Sequence, residues 1–244
     1  MLRSWFCLVA TIALAFSLVG SVYAFPTDAI AAPVPEVLPA RTYEVQFESH
    51  GVQVLQGREY SKRVGVQFGL GDGWEVGFDQ RVGPPHRRIA DRDWYVWDLQ
   101  YDPAEKGYDR CWLNLKKQLI IETDRRPALS YGRLNIGGNA GSGDYLVMGK
   151  HLDRWQLCLG WTNVRRNRAY EQYMDTFVYE IVGYQLSDNW KLWAEHISRG
   201  PYSTNFAFEG RVTENLHLTV GWMRANNSIY DHSWIGGLTY RGDW

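Results

Sequence analysis

From Arg41 to the end of the chain, apolar and polar residues alternate with a period of two, in runs of about ten residues parted by polar stretches. The clearest run is "KRVGVQFGLGDGWEVGFDQRV". Val64, Val66, Phe68 and Leu70 share one parity; Arg63, Gly65, Gln67 and Gly69 share the other. Beyond the "GDG" turn, Trp74, Val76 and Phe78 oppose Glu75, Gly77, Asp79 and Arg81, the pattern of a tight β-hairpin. Trp155, Leu157, Leu159 and Trp161 repeat it in "RWQLCLGW", as do Leu216, Leu218, Val220 and Trp222 in "LHLTVGW". In "TFVYEIVGYQL", Phe177, Tyr179 and Ile181 oppose Val178, Glu180 and Val182, and the first three read as the apolar face. "NFAFEGRV" opposes Phe206, Phe208 and Val212 to Asn205, Glu209 and Arg211, and the last segment opposes Trp234, Leu238, Tyr240 and Trp244 to Thr239 and Arg241.

Connection lengths alternate as well. Short turns occur at "GDG", "TDRRP", "LDR", "SDN" and "TEN"; longer loops lie at 49–61, 83–108, 137–143, 163–174, 199–202 and 225–231. Short periplasmic turns alternating with longer outer loops characterise bacterial outer-membrane barrels. The expected fold is therefore all-β: a transmembrane antiparallel up-and-down barrel of about twelve strands, both termini periplasmic. "DWYVWDLQYD" reads as part of an extended outer hairpin, since a further wall strand would break the alternation. Trp74, Trp155, Trp190 and Trp244 fall at periplasmic strand ends and Trp161, Trp222 and Trp234 at the opposite ends, forming two belts where indoles favour the headgroup zone. A soluble periplasmic β-sandwich shares the alternation but does not account for paired belts.

The first residues, "MLRSWFCLVATIALAFSLVGSVYA", have Arg3, an apolar run and a small residue at Ala24, the features of a cleaved secretory signal peptide at 1–24. The proline-rich segment 25–40 reads as extended, and the barrel occupies 41–244. A formal charge of −1 points to no polyanionic partner, so nucleic acid is not expected. Twelve tryptophans and 15 tyrosines without a long apolar run in the mature chain fit an exported barrel. The expected location is the outer membrane of a diderm bacterium, with outer-membrane lipid, lipopolysaccharide and the barrel assembly machinery as partners of a monomer.

If the apolar parity meets lipid, the other lines the lumen. It carries Glu75, Asp79, Arg81, Lys116, Arg133, Lys150, Glu180, Lys191, Glu195, Glu209, Arg211 and Arg241, together with Glu44, Glu48 and Arg63. Such a set serves either as a mutually paired interior network or as a charged pathway for small solutes. Inward Gly65, Gly69, Gly77 and Gly221 would widen a narrow pore. Lys117 falls on the lipid parity, where a mid-membrane lysine costs about 2–4 kcal/mol. In the outer loop "NVRRNRAYEQY", Arg165, Arg166 and Arg168 are a candidate binding patch for phosphate or acidic glycan.

Nothing resembles G-x-S-x-G, H-E-x-x-H, a phosphate-binding glycine loop or a metal-spaced Cys/His cluster, so no enzyme activity, cofactor or metal is expected. The local candidates for rim hydrolysis are His196 with Ser198, and Asp231 with His232. Cys111 and Cys158 carry no assigned role.

"APVPEVLPARTYEVQF", "FGLGDGWEVGFD" and "LNLKKQLI" followed by "PALSYGRLNIGG" resemble the opening segment and recurrent hairpins of YjbH-type outer-membrane barrels. Val34-Pro35 and Arg41 depart from the opening pattern, and Lys117 stands where an aromatic or apolar residue is usual. The resemblance covers positions 33–140 and weakens beyond. It implies a barrel and an association with exopolysaccharide export, with polysaccharide as a further partner. The family supplies no catalytic residues to carry over. The function expected from these readings is a narrow channel or envelope barrel for small solutes or glycan export, or alternatively a non-conducting glycan-binding surface barrel.

Overall fold

The computed structural model describes residues 32–54, 57–82, 112–136, 141–166, 174–198, 202–225 and 233–244. Twelve strands follow one another within them: β1 (Thr42–Val54), β2 (Gly57–Gly71), β3 (Trp74–Val82), β4 (Trp112–Ile120), β5 (Ala128–Ile136), β6 (Gly141–Leu152), β7 (Trp155–Arg166), β8 (Met174–Ser187), β9 (Trp190–Ile197), β10 (Tyr202–Arg211), β11 (Leu216–Ala225) and β12 (Ser233–Asp243). Each pairs antiparallel with its sequence neighbours, and β1 pairs with β12 from Thr42↔Asp243 to His50↔Ile235, so the sheet closes on itself. Closure leaves no edge, the condition for strands to sit in hydrocarbon with every backbone group paired. The predicted loop at 49–61 is mostly strand, because β1 continues to Val54 and β2 begins at Gly57. The expected leader at 1–24 and the stretch "DWYVWDLQYD" lie outside the described residues.

The outer surface is the lipid-facing side. Leu157, Leu159, Phe206, Phe208, Leu218, Val220 and Leu238 are all exposed. Trp74, Trp155 and Trp190 open β3, β7 and β9, and Trp244 follows β12, its N–H donating to the Arg41 carbonyl at 2.9 Å. At the opposite ends, Trp222 faces Trp234 across β11 and β12 and stacks on Phe206 with centroids 6.3 Å apart. Lys117 belongs to the same belt as Trp74, at the short-turn end of the barrel. It pairs in register with Trp74, holds its ammonium 4.9 Å from that ring's centroid and donates to the Asp72 carbonyl in the turn. A lysine that reaches the interface in this way escapes the cost of mid-membrane burial.

The interior is two-sided. Polar side chains predominate on β1–β4, among them Glu44, Gln67, Glu75 and Lys116, whereas β6–β12 turn in Tyr145, Val147, Phe177, Tyr179, Ile181, Ile197, Met223 and Ile235. Phe177, Tyr179 and Ile181 are thus a correction: they point inward, and Val178, Glu180 and Val182 meet the outside. Strand β8 is apolar on both parities, so alternation alone does not select its inner face. What selects it is the neighbouring strand. A Cβ on Gly160 would lie 1.9 Å from the Tyr179 ring, and one on Gly132 would lie 2.2 Å from that of Tyr145. Gly160 and Gly132 thus seat aromatic rings on the inner face.

Candidate functional site: an occupied lumen and its vestibule

Residues 32–41 do not stay outside the barrel. Pro33, Pro35 and Pro39 favour extended, PPII-like backbone and lack N–H donors, but the remaining amides and carbonyls need partners once water is lost. The wall supplies them. Glu195 of β9 accepts the Ala32 N–H at 2.9 Å, the Tyr179 hydroxyl of β8 donates to the Pro33 carbonyl at 3.1 Å, and Ser130 of β5 donates to the Pro35 carbonyl. Lys116 of β4 donates to the Glu36 carbonyl, and Glu75 of β3 accepts the Leu38 N–H at 2.9 Å. The segment therefore crosses the lumen from β9 to β3. It turns at Arg41, whose φ of 63° lies in the left-handed region, and enters β1. Ala32 and Val34 join the apolar cluster of Tyr145, Phe177, Tyr179 and Ile181. Gly69 lets the chain pass, since a Cβ there would sit 1.9 Å from the Pro39 carbonyl oxygen.

Below this segment a cavity of about 600 Å³ opens among the strand ends joined by the short turns. Its walls are densely hydrogen-bonded. Arg241 bonds Glu44, which also accepts from Gln46 at 2.7 Å. Glu209 takes the Trp193 indole N–H at 2.8 Å and faces His217 Nδ1 at 3.2 Å. The Lys191 ammonium donates to Gln156 Oε1 and lies 3.7 Å from the Trp193 ring centroid. Arg211 forks onto Asn189 Oδ1 at 3.0 and 2.7 Å.

At the rim, the turn after β4 brings Glu122 to His151 of β6. His151 donates its backbone N–H to Glu122 Oε1 at 2.8 Å, and its ring Nδ1 lies 2.7 Å from Glu122 Oε2. The ring's Nε2 lies 3.7 Å from Glu36 Oε1, which also accepts from Gln156 at 2.8 Å. Donor atoms of Glu36, Glu122 and His151 fall within 4.8 Å of one another, the spacing of a cation-ligating set. However, the Lys150 ammonium, 3.2 Å from Glu122 Oε1, already supplies positive charge there. Partial burial pushes Glu122 up, but the bonds from His151 and Lys150 more than offset it and hold the carboxyl below the ordinary glutamate range. A depressed carboxyl adds stability above its ordinary pKa, and this is lost as pH falls through the folded value. Hydrogen-exchange protection of the His151 amide is expected to drop as pH falls below about 4.3, the ordinary glutamate value. The Glu122→Gln variant should show no such step; an identical step in it would refute the assignment.

Eight of the twelve predicted lumen residues line the interior. Glu75, Asp79, Lys116 and Glu195 are fully buried around the inserted segment, and Lys191, Glu209, Arg211 and Arg241 border the vestibule. Arg81 lies in β3, its side chain outside the described set. Three are corrected to the outer surface. Glu180 pairs across the sheet with exposed His196. Arg133 shares its parity with exposed Tyr131 and lies 3.8 Å from Asp144. Lys150 shares the parity of exposed Leu146 and Met148 and reaches the Glu122 turn. Each stands on a strand whose two parities differ little in polarity, or near a strand end where water is within reach.

Arg165 and Arg166 end β7 with undescribed side chains, and Arg168 lies outside the described residues, as do Asp231, His232 and Cys111. His196 and Ser198 do not form a catalytic pair. His196 Nδ1 lies 3.4 Å from Thr204 Oγ1, and Ser198 Oγ accepts the Val178 N–H at 3.0 Å. Cys158 is a buried free thiol. Sequence reasoning missed Tyr179 and Ser130 as sockets and Pro33 and Pro35 as their guests. The available signal was a proline-rich stretch directly before the first strand.

No protein-family model matches the chain, and no curated protein aligns with it significantly. Solved structures do. The KdgM porin superposes with a TM-score of 0.52 over 81% of this chain and 98% of its own, at 8% identity. The same porin in complex with disordered oligogalacturonate gives 0.51 over 82% and 98%, at 9% identity. The NanC porin gives 0.51 over 80% and 98%, at 11% identity. At such identities the likeness is one of fold. This chain has the outer-membrane, porin-like β-barrel fold.

Proposed function

We propose that the protein is an outer-membrane channel for small solutes, closed at rest by residues 32–41. On this reading residues 1–24 direct export, and the mature chain is inserted by the barrel assembly machinery. The observation that carries it is a charged, water-accessible cavity of about 600 Å³ ending on a segment that is gripped mainly by side chains, with backbone bonds tying it to Gly69 and Trp244 at Arg41, where it joins β1. A segment so held can leave without unzipping a strand. Five such hydrogen bonds at about 1 kcal/mol each, together with burial of Ala32, Val34 and Leu38, make departure costly but attainable. The porin neighbours, one of them bound to oligogalacturonate, support a passage for small solutes. Because the sockets grip an extended chain along its backbone, passage of an extended glycan is the second reading, in keeping with the exopolysaccharide-associated barrels that the sequence resembles.

Planar-bilayer recording of the refolded mature chain tests the proposal. Brief, infrequent openings are expected, and they should become more frequent when Glu75→Gln and Glu195→Gln weaken the sockets. A folded sample that stays silent in both forms would sink it.

A further inference from the structure

We infer that the vestibule selects cationic and amine-bearing small solutes over anions, an inference that rests on the channel reading above. Its lining carries seven carboxylates against three Lys and Arg side chains, with two histidines. The excess is placed where a solute enters. Asp188 and Glu214 sit in the turns after β8 and β10, Asp243 ends β12, and Glu48 stands deeper on β1. A narrow cleft lined by one sign of charge focuses its field and enriches counter-ions, as acidic rings do in cation channels.

The basic groups are outnumbered and already engaged. Arg241 is committed to Glu44, the Arg211 fork closes on Asn189, and Lys191 is held between Gln156 and the Trp193 ring. A carboxylated sugar would have to share these groups with their present partners and enter against the excess of carboxylates. An ammonium or guanidinium group meets the opposite situation. It meets carboxylates at every depth, from Asp188 and Glu214 in the turns to Glu48 on β1. The field acts through water at the mouth and must therefore weaken with added salt, since screening sets in over about 10 Å at 0.1 M.

The test is the reversal potential of single channels across a KCl gradient. It uses the full mature chain and its full-length Gly69→Val variant, in which the added side chain collides with Pro39 and Leu38. K⁺ is expected to permeate over Cl⁻ by roughly tenfold at low salt, falling as salt rises. The combined Glu48→Gln, Asp188→Asn and Glu214→Gln variant should bring the ratio close to one. Equal permeability, a preference for Cl⁻, or a ratio untouched by the triple variant overturns the inference and leaves the channel reading standing. Silence from both folded chains overturns the channel reading, and the inference falls with it.

Discussion

Gly69→Val is expected to expel the inserted segment and leave the barrel closed upon itself. The position lies on the inner face of β2, and a Cβ there would stand 1.9 Å from the Pro39 carbonyl oxygen and 2.5 Å from that of Leu38. Neither neighbour is the far end of a flexible side chain; both are backbone, and the wall strand is pinned by β1 and β3. The segment, anchored by hydrogen bonds, is the part that can yield. A thiol placed in the segment by Val34→Cys, a position buried at rest, should then change from slow to rapid labelling by a water-soluble maleimide, and channel openings should become frequent. The folded, heat-modifiable band should persist on gels. A folded variant in which the introduced thiol remains protected would show that the wall gives way instead, and the notion of a separable segment would be wrong.

Lys116→Met is expected to destabilise the barrel by about 3–5 kcal/mol, the usual cost of removing one partner of a buried charge pair. Lys116 and Glu75 stand opposite each other in register on β4 and β3, and both are essentially inaccessible to water. Each also holds the inserted segment, Lys116 through the Glu36 carbonyl and Glu75 through the Leu38 N–H. Without the ammonium, the Glu75 carboxylate is buried with that amide but with a cation gone. Urea unfolding in lipid vesicles, followed by tryptophan fluorescence, gives the loss. The double variant Lys116→Met, Glu75→Gln should recover much of it, because the buried negative charge opposite the lost cation is removed as well. A loss below about 1 kcal/mol, the level of an exposed ion pair, would mean that water reaches this site.

The wall was legible because its determinants are local and repeated. In β7, Trp155, Leu157, Leu159 and Trp161 all stand on the exposed side, and a two-residue period cannot be confused with a helix. The strand number followed from the turns, of which "GDG" is the plainest, Asp72 and Gly73 both taking positive φ. The site was legible only in part. Glu75, Lys116 and Glu195 stood out as inward charges, yet their guest did not, since residues 32–38 have no periodicity to read. The contact between Ala32 and Glu195 spans 163 positions.

By itself, the sequence determined that this chain forms a twelve-stranded wall with an apolar outside and aromatic rims. That outcome needs only side-chain alternation and the affinity of indoles for the headgroup zone. Tertiary structure decided which face of β8 turns inward, that Glu180, Arg133 and Lys150 stand outside, and that a proline-rich lead-in fills the lumen. These depend on shape: a glycine on one strand makes room for a ring or a backbone brought from far along the chain, and no local pattern encodes that fit.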